Sequence, residues 1–155
     1  MNQAGRPYQR DNPKENPPQL PPGYLAKGYF DEKGNVFPEV IEKWPLELAN
    51  AFLKGKPKLN TAQLRRFYNK VRDIKEKLDA KQPFDTLKEQ IYALGPLAAA
   101  AVGRETAPPL FKEFIDRNIP HAVKSEAHFT RGFILHFQGI VAYAKFLDPK
   151  QQGGR

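Results

Sequence analysis

Apolar residues recur at helical spacing through most of the chain. In "KLNTAQLRRFYNKVRDIKEKL" (58–78), Leu64, Phe67, Val71, Ile74 and Leu78 share one face, with Tyr68 beside them. That is the stripe of an amphipathic α-helix. Asn60 is placed to cap its N-terminus, with Gln63 three residues later in a capping-box arrangement and Leu59 and Leu64 as a hydrophobic staple. An earlier helical segment, about 39–54, contains Pro45, which suits the first turn of a helix starting after Trp44. A third helix is expected from Asp85 or Thr86, where Thr86 and Glu89 form another capping box, with Leu87, Ile91 and Leu94 inward. Gly95-Pro96 breaks or kinks it, and Leu97 to Val102 adds an alanine-rich turn or two ended by Gly103. Pro108-Pro109 opens a short fourth helix with Leu110, Phe111, Phe114 and Ile115 inward, stopped by Pro120. The last helix, about Ser125 to Leu147, carries Phe129, Phe133, Phe137, Ile140, Ala144 and Leu147 on its main stripe. Ile134, Leu135, Val141 and Phe146 add apolar surface around its girth, as in a helix at the centre of a bundle or one that also meets a partner.

The first part of the chain reads differently. Residues 1–22 hold six prolines and almost no apolar side chains, so a flexible Pro-rich arm is expected over 1–28. Tyr29-Phe30 and Val36-Phe37 flank a Gly-Asn turn, the pattern of a short hairpin or ordered hook. A helical bundle domain over 29–147 and a polar tail over 148–155 complete the division. The expected fold class is all-α, a small bundle of about five helices behind a disordered Pro-rich N-terminal arm.

Composition narrows the chemistry. The chain has 155 residues, 40% of them hydrophobic, enough for one core. It has no Cys, which excludes disulfides, thiolate metal sites and Cys nucleophiles. No run of apolar residues is long enough to span a membrane, and the N-terminal residues lack the apolar core of a signal peptide, so a cytoplasmic location is expected. Of the three histidines, His136 falls inside the apolar stripe of the last helix and reads as a satisfied core or interface histidine rather than a ligand. His128, near that helix's start, is expected to face solvent. His121 has no neighbour at metal-binding spacing, and the carboxylates stand singly. Ser125 is the only serine and is best used as a helix cap. No catalytic residue, metal site or cofactor is expected.

Charge then changes the picture. The formal net charge is +8, and the pI is near 9.7. Residues 54–77 alone carry nine Lys/Arg against Asp73 and Glu76, or +7, which leaves +1 for the rest of the chain. Such local basic charge is the footprint of a nucleic-acid partner. Arg72 can pair with Glu76, and Lys77 with Asp73, at i,i+4; Lys70 can reach Asp73 at i,i+3. Arg65 and Arg66 have no acid on this helix, and they sit near its start, where the helix dipole disfavours cations. Lys54, Lys56 and Lys58 precede them. This arrangement suits phosphate contact. Three alternatives stay open. The arginine stems can simply cover the bundle surface. Asn69 beside the arginines permits a helical DNA-binding regulator. A purely structural scaffold is also possible, because Gly132 and Gly139 would let another helix approach the last helix closely. Backbone-and-shape binding to RNA needs the fewest assumptions.

"LNTAQLRRFYNKVRDIKEKL" (59–78) resembles the signature of the small subunit of type III-A CRISPR–Cas effector (Csm) complexes. So do "LGPLAAAAVGR" (94–104), "FKEFIDRNI" (111–119), "FTRGFILHFQGIVAYAKF" (129–146) and the hook "YFDEKGNVFPE" (29–39). The resemblance covers roughly 29–147. It implies a non-catalytic subunit in antiviral defence, present in several copies stacked head to tail in a filament. Its partners would be CRISPR RNA, target RNA and the other subunits of the complex. Cutting would belong to those other subunits. Carried over by position, Arg65, Arg66 and Arg104 would contact RNA; Lys58, Lys70 and Arg131 are added on charge alone.

Overall fold

A computed structural model describes residues 18–148. Within them lie α1 (Pro38–Ile41), α2 (Lys43–Leu53), α3 (Thr61–Asp79), α4 (Phe84–Tyr92), α5 (Leu94–Gly103), α6 (Pro109–Ala122), a π-helical stretch (His128–Ile134) and α7 (Leu135–Leu147). The fold is the expected small all-α bundle. Among the described residues, β-structure is limited to one bridge, Phe30 to Val36, which closes the hook. Asp31 makes the hook's turn: its Oδ1 accepts from the backbone N–H of Lys33 and Asn35 at 2.8 and 2.9 Å, and Gly34 takes φ +83°. An Asx turn of this kind needs only the short carboxylate and a residue tolerant of positive φ.

The last helix is the centre of the bundle. Its π and α7 parts touch α1, α2, α3 and α6. A cluster of phenylalanine rings joins the layers: Phe67 meets Phe111 edge-on at 4.9 Å, Phe52 meets Phe111 at 5.4 Å, and Phe137 meets Phe114 at 5.4 Å. All but Phe67, which is 8% exposed, are essentially sealed from solvent. Each such ring contributes roughly 1.5–3 kcal/mol through burial.

The N-terminal segment departs from expectation. Residues 1–17 of the expected arm, and the tail beyond Asp148, lie outside the described residues. From Leu20 onward the chain is packed on the bundle, with Tyr24 and Leu25 buried (3% and 2% exposed). Two tyrosines hold it there. The Tyr29 hydroxyl donates to Asn118 Oδ1 at 2.7 Å, and Asn118 Nδ2 donates to the Tyr24 hydroxyl oxygen at 2.8 Å and to Phe114 O at 2.8 Å. Tyr24 in turn lies 2.7 Å from His136 Nε2, and His136 Nδ1 lies 2.7 Å from Val40 O. A carbonyl only accepts, so Nδ1 carries the proton and Nε2 accepts from Tyr24. Every side-chain polar group of Tyr24, Tyr29, Asn118 and His136 is partnered, as a sealed network requires. Burial pushes the His136 pKa down to about 4, so the ring is neutral. Burial also raises both tyrosine hydroxyls above their usual range. His136 is thus the satisfied core histidine its position in the stripe suggests.

Four local expectations are corrected. Thr86 does not cap α4, which starts two residues earlier behind Pro83; the Thr86 hydroxyl instead donates to Pro83 O at 2.8 Å. Pro120 does not stop α6, which runs on to Ala122. Pro forgoes one backbone hydrogen bond, and the helix ends two residues later, so the loss is small. His128 is half-buried rather than solvent-facing: it packs edge-on to Phe30 at 5.0 Å and meets Ser125 Oγ at 2.8 Å. Ser125 does cap, accepting from His128 N–H at 3.1 Å. Finally, Gly132 and Gly139 are used inside the fold, not for a partner helix. A Cβ at 139 would lie 3.1 Å from Pro45 Cβ, and one at 132 would overlap the Tyr29 ring.

Candidate nucleic-acid interface

The side chains of interest are set by two helix ends. At the start of α3, Asn60 Oδ1 accepts from Gln63 N–H at 2.8 Å, and Leu59 and Leu64 are both buried. The cap and staple expected from sequence fix where the helix begins, and so fix the rotation of Arg65 and Arg66 about it. At the end of α5, Glu105 N–H donates to Val102 O at 3.0 Å and Thr106 N–H to Ala101 O at 2.9 Å. Glu105 takes φ +61°. These are the two bonds and the left-handed residue of a Schellman motif. The motif holds Arg104 at the C-terminal end of α5, where the helix dipole favours a cation.

These ends meet at one cleft of about 290 Å³. Its rim carries Arg66 and Lys70 from α3, Arg104 from α5, Gln63 and Thr106. Its floor is apolar: Leu59, Phe67, Ala107 and Phe111 are buried, and Leu97 and Ala101 line one wall. Arg66 also borders a second, shallower hollow of about 340 Å³ with Arg65, Asn69, Thr61 and Lys145. Arg66, Lys70 and Arg104 are exposed. Among the described residues, ion pairs form only between Lys75 and Asp79, Lys88 and Asp85, and Lys112 and Asp116, so none of the rim cations is neutralised this way.

The predicted residues therefore divide. Arg65, Arg66, Lys70 and Arg104 come together around the two hollows. Lys58 is exposed in the loop ahead of α3 but lines neither. Arg131 is elsewhere and engaged: its guanidinium lies 5.1 Å from the Phe30 ring centroid and donates to Gly34 O at 3.1 Å, clamping the hook.

The expected acid pairs on α3 do not form. Lys77 donates instead to Gln90 on α4 at 3.0 Å, and Arg72 is left without a carboxylate among the described residues. An acid reaches the start of α3 from far along the chain, where Asp148 Oδ2 accepts from the Thr61 hydroxyl at 3.0 Å. Sequence reading missed Lys145, whose only signal is a cation on an exposed position of α7, and Gln63 as a rim residue, having read it only as a cap.

Among the described residues no group of three or more metal-ligating side chains gathers, and no helix is long and apolar enough to cross a membrane. A model of the family described as Csm2 Type III-A matches residues 41–150. No curated protein and no solved structure matches.

Proposed function

The chain belongs to the Csm2 Type III-A family, the small subunit of the type III-A CRISPR effector complex, whose other subunits are therefore its partners; from that premise we propose that it is a non-catalytic subunit that grips the phosphate backbone of the guide–target RNA in antiviral defence. One observation carries this. Arg66 and Lys70 on α3 and Arg104 at the end of α5, 34 or more residues further along the sequence, converge on one rim without a carboxylate among the described residues to neutralise them. Like charges brought together in this way are costly unless an anion arrives. Arg65 and Lys145 extend the surface through the neighbouring hollow. Backbone contact of this kind is insensitive to sequence, which suits a subunit that must accept any guide.

The proposal extends to copies stacking head to tail alongside the RNA, a reading supported by apolar side chains left at the surface. Ile41, Leu46 and Tyr92 are 46%, 41% and 56% exposed.

The test is direct. Arg66→Glu together with Arg104→Glu should weaken binding of a guide–target RNA duplex at least about tenfold and reduce its salt slope by about one per lost phosphate contact. The melting temperature should stay close to that of the parent. Unchanged affinity and slope in a folded double variant would sink the proposal. A clear preference for one DNA duplex over RNA would replace it with a regulator.

A further inference from the structure

We propose that the 290 Å³ cleft is a pocket for a single unstacked nucleobase of the RNA, not merely a patch of backbone charge; this rests on the RNA-binding reading above. Backbone grip alone needs cations on a convex or flat surface. This site is recessed, and its interior is the wrong chemistry for phosphate. Leu59, Phe67, Ala107 and Phe111 form a buried apolar floor, and Leu97, 40% exposed, stands as an apolar wall at the mouth. An anion pushed onto that floor would lose its hydration without gaining a partner. A flat aromatic ring would not.

Size limits the occupant. Sites for drug-sized ligands begin near about 300 Å³, so the cleft has room for one base and little more. The two ends of a nucleotide match what the site offers. The base would lie on the apolar floor, and its sugar–phosphate would lie under the rim formed by Arg66, Lys70 and Arg104. The guanidinium planes of Arg66 and Arg104 add a surface on which bases stack. Gln63 is half-buried at the lip, and its side-chain amide makes no hydrogen bond among the described residues. An amide presents a donor and an acceptor side by side, the pairing that reads a base edge. Thr106, by contrast, already donates to Ala101 O at 3.1 Å and shapes the wall only. The recognised chemistry is therefore single-stranded or locally splayed RNA, with one base entering the bundle between α3 and α5.

The experiment narrows the cleft from its wall and leaves the rim cations in place. Ala101→Leu projects extra carbon into the cleft without changing charge. The full chain would be titrated with a short fluorescent single-stranded RNA and with a blunt RNA duplex. The expected result is a loss of roughly tenfold on the single strand, the size of one stacked base, and no change on the duplex. Unchanged single-strand affinity, or an equal loss on both RNAs, would overturn the pocket while the backbone-grip proposal survived. Gln63→Ala provides an independent arm should the leucine disturb folding, since the cap at this position uses the backbone N–H and not the side chain. It should lower single-strand affinity and flatten any preference among oligoadenylate, oligouridylate and oligocytidylate. If it changes neither, the edge-reading role of Gln63 fails. Failure of the parent protein to bind either RNA would defeat the proposed function itself.

Discussion

The ring of Tyr29 lies against the α-carbon of Gly132 so closely that even a methyl group there would overlap it. The hook's anchoring tyrosine and the π-helical stretch are therefore fitted to each other. Gly132→Ala should cost more than the roughly 1–3 kcal/mol of ordinary overpacking, because the obstacle is a buried aromatic ring with its hydroxyl tied to Asn118. Gly103→Ala, at a position with nothing within 4 Å, should be neutral or stabilise by about 0.5–1 kcal/mol. Thermal melts of the two variants side by side would check this. Similar melting temperatures would mean the contact at 132 is slack.

His136 gives the fold an acid limit. Its pKa is lowered to about 4 in the folded chain against about 6.5 unfolded, so the unfolded chain binds more protons between those values. The stability from the neutral ring is fully present above about pH 6.5 and is lost progressively as pH falls toward 4, by up to about 3 kcal/mol. Burial lowers His121 and His128 as well, and the slope they add has the same sign. His136→Leu should melt lower at neutral pH, because Tyr24 and Val40 lose a partner, yet show a shallower decline on acidification. An equally steep decline would assign the acid sensitivity to other groups.

Asn60→Ala should remove the cap of α3 and destabilise the bundle by about 1 kcal/mol. The same change should loosen the placement of Arg65 and Arg66, so duplex RNA binding should weaken although no cation is removed. Denaturant midpoints and RNA titrations on one preparation would separate the two effects.

Glu105 occupies a left-handed position that glycine adopts without penalty. Glu105→Gly should be neutral to stabilising by up to about 1 kcal/mol, and it removes an acid next to Arg104. RNA affinity should rise modestly at low salt, and the gain should shrink as salt is added. A fall in affinity would mean that Glu105 helps to orient the arginine.

Arg131→Ala should act on the hook rather than on RNA. It removes the cation over Phe30 and the hydrogen bond to Gly34 O, together about 1 kcal/mol at an exposed site. Duplex affinity should move far less than in the Arg66 and Arg104 variants. A comparable loss would return Arg131 to the RNA surface.

Local signals and long-range ones were unequally legible. The cap at Asn60, the stripe of α3, the break before Pro96 and the apolar last helix all depend on neighbours a turn away, and each is visible as spacing. The π winding at His128–Ile134 is not, because its phenylalanines at four-residue intervals fit an α-helical stripe nearly as well. The tyrosine anchors were hidden by the proline-rich composition around them, and their partners Asn118 and His136 lie roughly ninety or more residues away. Pairs of Arg72 with Glu76 and of Asp73 with Lys77 or Lys70 are sterically available but do not form, since exposed pairs gain little and Lys77 meets Gln90 instead; Lys75 with Asp79 is the pair that α3 does make. Nothing in spacing brings Arg104 to Arg66; only long-range packing does so, with α5 lying on α6 and Phe111 of α6 meeting Phe67 of α3, although the family resemblance names both.

The Tyr24–Asn118–Tyr29–His136 network also sets how short the chain can be trimmed. A version starting at Leu20 keeps every bond of that network. One starting at Gly28 removes the Tyr24 hydroxyl that His136 Nε2 and Asn118 Nδ2 both use. Water would then enter the middle of the bundle through the gap beside Trp44, whose ring meets Tyr24 edge-on at 5.1 Å. The segment that reads as a flexible Pro-rich arm is, from Leu20 on, the plug of the core.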